Sequence, residues 1–207
     1  MALYDPWETH YAEVARRIHA DGDWITLRWH TDNKMGRNVN RRCRANPEEC
    51  TFFSKPVMIF WLMGMSLGVF GIDEDEANER LSRDPESAAS ILRQNDGAAR
   101  LPFVLVGIFG IFGVYFYTRK IYGALAGYLS AGVLATTPYY YALSHQIMTD
   151  LVFVMPMSVG LLSLMYWLTS PNEAKPRDIY LFYALAGVST LAKGLLGFLL
   201  PGFIVLV

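Results

Sequence analysis

The ionisable residues of this 207-residue chain are concentrated in its first hundred positions. Residues 1 to 56 carry nine Lys/Arg and eight Asp/Glu, and residues 73 to 100 carry four and eight. Everything after Arg100 holds only five basic and three acidic residues. A second half of that kind leaves few folds open. Residues 101 to 118 (LPFVLVGIFGIFGVYFYT), 121 to 149 and 151 to 170 are each apolar over roughly the 18 or more positions that cross a bilayer as a helix. Residues 179 to 207 form a fourth stretch broken only by Lys193, which marks either a turn at the membrane surface or a functional charge inside it. The expectation is an all-α polytopic membrane protein, with helices at about 101–118, 121–142, 151–170, 179–192 and 194–207.

The net charge of -1 offers no basic excess for a nucleic acid partner. The N-terminus lacks the basic and apolar regions of a signal peptide. A soluble-looking segment opens the chain and an apolar run, FLLPGFIVLV, ends it, so a piece truncated at both ends is expected. Cys43 and Cys50, in RRCRANPEECTFF, flank a Pro-containing turn. In an oxidising compartment they would close a small disulfide loop; otherwise they remain two thiols.

Residues 1 to 100 read as an extracytoplasmic loop with juxtamembrane helices. In DPWETHYAEVAR, Asp5 stands at an N-cap, Pro6 at the first helical position and Glu8 three residues after the cap, which predicts a helix over about 6–20. Trp7, Tyr11, Val14 and Ile18 share one face of it, with Glu8 at the border and Glu13 opposite. A loop rich in Arg, Asn and Asp follows. The uncharged stretch 57–72 has 16 residues, short for a span, and Lys55-Pro56 stands just ahead of it, so an interfacial helix is expected. Residues 73–99 read as a charged insertion, a solvated helix and loop. The positive-inside rule puts Arg119-Lys120 and Lys175/Arg177 in the cytoplasm, which leaves residues 1 to 100, Asp150 and Lys193 on the other side.

Asp150, in SHQIMTDLVF, is the only carboxylate between Asp96 and Glu173. An acid at the edge of a long apolar run is costly unless it faces a cavity or a partner, or caps the following helix. Lys193, in STLAKGLLG, either snorkels to the headgroups or binds an anion. Lys55 is an interfacial anchor or an anion ligand, and His145 reads as a satisfied interfacial histidine. Together, carboxylates (Asp5, Glu8, Asp150) and cations (Lys55, Lys193, His10) at one membrane surface suit a reaction that takes a proton from one reactant while a phosphate leaves another. A lipid-linked sugar phosphate is such a reactant. With no His/Cys/Asp cluster at ligand spacing and no Gly-rich phosphate cradle, neither a metal nor another cofactor is expected.

The runs DPWETHYAEVAR, GDW, FSKPVMIFWL, ARLP, LATTPYYYALSHQIMTD and LAKGLLGFLLPG occur in the order found in integral-membrane GT-C glycosyltransferases. The chain resembles the family 39/83 group, which includes protein O-mannosyltransferases and lipid A aminoarabinose transferases with runs such as PDETRYAE, FEKP, LTD and TKG. The resemblance implies a GT-C-type transmembrane helix bundle in the bacterial inner membrane, a multi-pass enzyme working at the periplasmic face. It implies a polyprenyl-phosphate-linked sugar as donor, a lipid, glycan or protein as acceptor, and an acidic residue of the first loop as base. Glu8 matches the Glu of the DE pair, Tyr11 and Glu13 match YAE, Lys55 matches the Lys of FEKP, Asp150 the Asp of LTD and Lys193 the Lys of TKG. Trp7 stands where the relatives carry the leading Asp, His10 where an Arg often stands, and Ser54 replaces the acid before KP.

The mechanism so implied is an inverting displacement. Glu8 or Asp5 is the base, Asp150 orients the acceptor or supports developing positive charge, and Lys55, Lys193 and His10 receive the departing phosphate. The alternatives are a transporter or flippase-like protein that recognises polyprenyl-linked lipids without chemistry, and an inactive truncated homologue.

Overall fold

A computed structural model describes residues 6–27, 51–52, 55–72 and 74–206, and every regular element among them is helical. The chain divides into two compact units, Met1–Pro102 and Phe103–Val207. Asp5, Cys43 and Cys50 lie outside the described residues.

In the first unit, α1 (Pro6–Asp21) packs on α2 (Met58–Phe70). The apolar stripe of α1 supplies Tyr11, Val14, Ala15 and Ile18, and α2 supplies Ile59, Phe60 and Met63, all buried. Tyr11, Phe52 and Phe60 meet edge to face, with centroids 5.5 to 6.4 Å apart, the arrangement that aromatic quadrupoles favour. The Trp61 indole N–H donates to the Trp24 carbonyl (2.6 Å), tying α2 to the segment that follows α1.

The charged stretch divides in two. The helix α3 (Glu74–Arg83) is solvated, with the i,i+4 pairs Glu76–Arg80 and Glu79–Arg83 on its exposed surface. A 3-10 turn, Pro85–Ser87, begins at Asp84, whose carboxylate accepts from the Glu86 N–H (3.0 Å). From there α4 runs unbroken from Ala88 to Tyr122, starting well before the expected 101. Its first turns are not decoration. Ile91, Ala98 and Ala99 are buried, and the Asn95 amide accepts from the Ile72 N–H (2.7 Å) and donates to the Ile72 carbonyl (3.2 Å). Small alanines between charges hide a packing face that net charge alone does not reveal.

The second unit holds the rest of α4, then α5 (Ala124–Thr136), α6 (Pro138–Ser144), α7 (Thr149–Thr169), α8 (Pro176–Lys193) and α9 (Leu196–Leu206). The expected helix over 121–142 is two helices. Gly123, at φ 92°, separates α5 from α4, and Thr137, extended before Pro138, ends α5. Among the described residues, two helices, α4 and α7, are long and apolar enough to cross a membrane. Only 28% of the most apolar window of α4 is buried, and Leu105, Phe109, Phe112 and Phe116 are exposed, a surface suited to an apolar surrounding rather than to water.

Gly107, Gly110 and Gly113 let α4 come close to α6 and α7. A β-carbon on Gly113 would stand 2.4 Å from Val159 Cγ2, and one on Gly110 would stand 2.5 Å from the Met155 sulfur. α7 and α8 form an antiparallel hairpin around Gly160 and Leu185. A polar network closes one end of it. The Tyr117 hydroxyl donates to Asp178 Oδ1 (3.1 Å), and the Ser163 hydroxyl is 2.9 Å from that of Tyr117 and 2.6 Å from the Asp178 carbonyl. Asp178 Oδ2 also accepts the Lys175 N–H (2.9 Å), capping α8. Asp178, Ser163 and Tyr117 are buried, and the Lys120 ammonium is 3.8 Å from the carboxylate and 4.4 Å from the ring centres of Phe116 and Tyr166.

Removing the carboxylate leaves the buried Tyr117 hydroxyl and the Lys175 N–H without their acceptor, so Asp178→Ala should lower stability by about 2–3 kcal/mol, and Tyr117→Phe, which takes away one donor, by about 1 kcal/mol. Thermal unfolding in detergent reads both; unchanged melting of Asp178→Ala would contradict the role given to the network.

Candidate active site

The candidate residues fall into one cluster in each unit. In the first, Glu8 lies in the opening turn of α1 with its side chain buried. Its Oε2 accepts from Arg100 Nη2 at 2.9 Å. Asp96 stands one helical turn before Arg100 on α4, ahead of the apolar segment. Burial pushes its carboxyl above the usual aspartate value, Arg100 pulls it down, and the nearby Glu8 charge adds to the rise.

His10 is half-buried. Tyr11 belongs to the aromatic core. Glu13 pairs with its own helix neighbours, through Arg16 Nη2 at 2.8 Å and Arg17 Nε at 3.1 Å. Lys55 is half-buried just ahead of α2, whose N-cap residue, Val57, supplies no side-chain cap; among the described residues Lys55 has no ion-pair partner.

In the second unit, Asp150 occupies the first turn of α7 and Lys193 the last turn of α8. The helices run antiparallel, so both residues lie at the same end of the hairpin, opposite Asp178. There Lys193 Nζ donates to Asp150 Oδ1 and lies 5.3 Å from the Phe153 ring centre. The acid faces the positive end of one helix dipole and the cation the negative end of another, so each is favoured before the pair forms. Gly194, at φ 67°, ends α8 directly after Lys193. The pair is partly exposed, and an ammonium with three donors keeps two for a ligand. The same end carries His145, at the turn between α6 and α7.

An open groove of about 550 Å³ is lined by Val114, Leu129, Val133 and Met155, with the Ser130 and Ser158 hydroxyls among them. Among the described residues, no three His, Cys, Asp or Glu side chains are grouped to share a metal ion.

The model of the dolichyl-phosphate-mannose-protein mannosyltransferase family matches residues 86–207, more than half of the chain. The chain belongs to that family. Among solved structures, the crystal structure of ArnT from Cupriavidus metallidurans in the apo state is similar in fold, with a TM-score of 0.74 and 24% identity over 99% of this chain. The chain covers 31% of the length of that protein. No curated protein sequence matches it.

Sequence reasoning named Glu8 but not its partner. Arg100 was visible as the cation of ARLP, directly before a long apolar run, and an arginine there needs a carboxylate or a polar surface. It also assigned Asp150 and Lys193 separate tasks, whereas the structure joins them.

Two outcomes are expected. Arg100→Met leaves a buried carboxylate without its guanidinium and should cost about 3 kcal/mol, with Glu8→Gln in the same chain restoring part of the loss. Thermal unfolding of the four-member cycle measures the coupling, and additive losses would count against it. Because the folded state raises the Asp96 value above 3.8, the protonated form favours folding, a contribution present below 3.8 and lost as pH rises through the folded value. Asp96→Asn should therefore match wild type at the acid end and melt higher than wild type at neutral pH.

Proposed function

We propose that this chain carries part of the site for transfer of a sugar from a polyprenyl-phosphate-linked donor to an acceptor hydroxyl, at the extracytoplasmic face of a bacterial inner membrane. The observation that carries this reading is the Asp150–Lys193 pair at one end of the α7–α8 hairpin, while Arg119, Lys120, Lys175 and Arg177 belong to the other. The basic end suits the cytoplasmic side, which leaves the pair outside. Membership of a family described as dolichyl-phosphate-mannose-protein mannosyltransferases supports a lipid-linked donor. The alternative acceptors are a lipid and a glycan.

In the proposed reaction the acceptor oxygen attacks the anomeric carbon, the bond from that carbon to the phosphate oxygen breaks, and the hydroxyl proton passes to a loop carboxylate. Asp5 and Glu8 are the two candidates. Glu8 is buried with one oxygen on Arg100, so acting as base requires that contact to open. The departing polyprenyl phosphate gains a negative charge, which a cation must offset, and the candidates are Lys55 and His10 in the first unit or Lys193 in the second. Lys55 is suited to it, as a cation ahead of a helix N-terminus without a side-chain cap. Asp150 holds Lys193 in place and orients the acceptor. No metal or other cofactor takes part in this scheme.

The test is turnover of polyprenyl-phosphate-linked sugars by the full-length protein in membranes. Losing the base should reduce turnover by about 10²–10⁴-fold, so one of Asp5→Asn and Glu8→Gln should show that loss, and Lys55→Ala should weaken donor use. Unchanged turnover in all three variants would sink the assignment. Movement of lipid across the bilayer with no glycosylated product would instead favour the transporter reading.

A further inference from the structure

His145 was expected to be a satisfied interfacial histidine, and its surroundings show it to be only half satisfied. It ends α6. Its ring stacks on that of Tyr141, with centroids 4.2 Å apart and planes 31° from parallel. Its Nδ1 is 2.8 Å from the Tyr141 carbonyl and 3.0 Å from the Ser144 hydroxyl oxygen. A carbonyl can only accept, so Nδ1 carries the hydrogen. The Ser144 hydroxyl donates to the same carbonyl (2.8 Å), which leaves a lone pair on its oxygen for the same Nδ1–H. One tautomer of the neutral ring satisfies all three contacts, and in it Nε2 holds the lone pair. His145 is exposed, and among the described residues Nε2 has no hydrogen-bond partner.

The ring is therefore held in place from two directions, with its acceptor nitrogen turned outward. The α6–α7 turn that carries it leads within five residues to Asp150, so this acceptor belongs to the same end of the helices as the Asp150–Lys193 pair. That pair offers ammonium donors to an anion; the imidazole adds a neutral acceptor, which suits a hydroxyl and repels nothing. We propose that His145 Nε2 accepts a hydrogen bond from a hydroxyl of the ligand held at this end, on the donor sugar or on the acceptor. The inference rests on the glycosyl-transfer reading, and it makes His145 a ligand-positioning residue five positions ahead of Asp150.

The experiment uses the full-length protein in nanodiscs with three variants. His145→Asn keeps a donor near the Nδ1 position and removes the outward acceptor, His145→Gln reaches toward the Nε2 position, and Tyr141→Phe keeps the ring stack and the backbone carbonyl. Binding is measured for dolichyl phosphate mannose and for bare dolichyl phosphate, and KM is measured for a threonine-containing acceptor peptide. A sugar hydroxyl as ligand predicts about tenfold weaker binding of the mannosylated lipid to His145→Asn, unchanged binding of the bare lipid, and partial recovery in His145→Gln. An acceptor hydroxyl predicts the same loss in peptide KM instead, with kcat nearly preserved. Tyr141→Phe should match wild type in both. Wild-type turnover that His145→Asn leaves unchanged in donor binding and acceptor KM overturns the inference alone. A wild-type protein that shows neither preference for the mannosylated lipid nor turnover overturns the glycosyl-transfer reading, and the inference with it.

Discussion

The second unit depends on one buried carboxylate. Asp178 is buried, and its oxygens and its carbonyl are met by Tyr117 from α4, Ser163 from α7, the start of its own helix, and Lys120 near by. An acid in an apolar bundle is expensive, and the arrangement of α4, α7 and α8 satisfies it. Dispersion between leucines and phenylalanines holds helices together without choosing their register. The polar network does choose it, and with the register set at that end, the antiparallel hairpin brings Asp150 and Lys193 opposite one another at the other.

The two ends of the hairpin use charge differently. Around Asp178 the groups are enclosed and satisfied, with the cation covered by aromatic faces, which suits a structural joint. Around Asp150 the acid and the cation are partly exposed, the neighbouring histidine has an outward nitrogen, and donors remain available to a ligand. Polar groups of the same kind thus serve architecture where they are sealed and recognition where they are open.

Much of the architecture was legible in the sequence because it follows from length and hydropathy. Helix α1 was announced by Pro6 and the stripe Tyr11, Val14 and Ile18, and α7 and α8 by their apolar runs. Local signals failed where tertiary packing decided. The start of α4 is charged overall, yet its buried Ala98 and Ala99 and the doubly bonded Asn95 make it part of the core. The break at Thr137-Pro138 was written in the proline but outweighed by the apolar residues on both sides. Among the candidate residues of the two units, Glu8, Asp150 and Lys193 could be named from residue type and context, whereas the pairings Glu8–Arg100 and Asp150–Lys193 could not. They join positions 92 and 43 residues apart, and no local pattern encodes such contacts.

Two residues with no functional group at all hold Lys193 where it is. Gly194 takes a left-handed turn immediately after it, and a β-carbon on Gly197 would stand 2.3 Å from the Thr190 nitrogen, so α9 leaves with its backbone pressed against the last turn of α8. The reach of the ammonium toward Asp150 is thereby set by missing atoms as much as by charged ones. In LAKGLLG the lysine carries the chemistry and the glycines carry the measurement of distance, so damage to this site can arise from a single added methyl group that never touches a substrate.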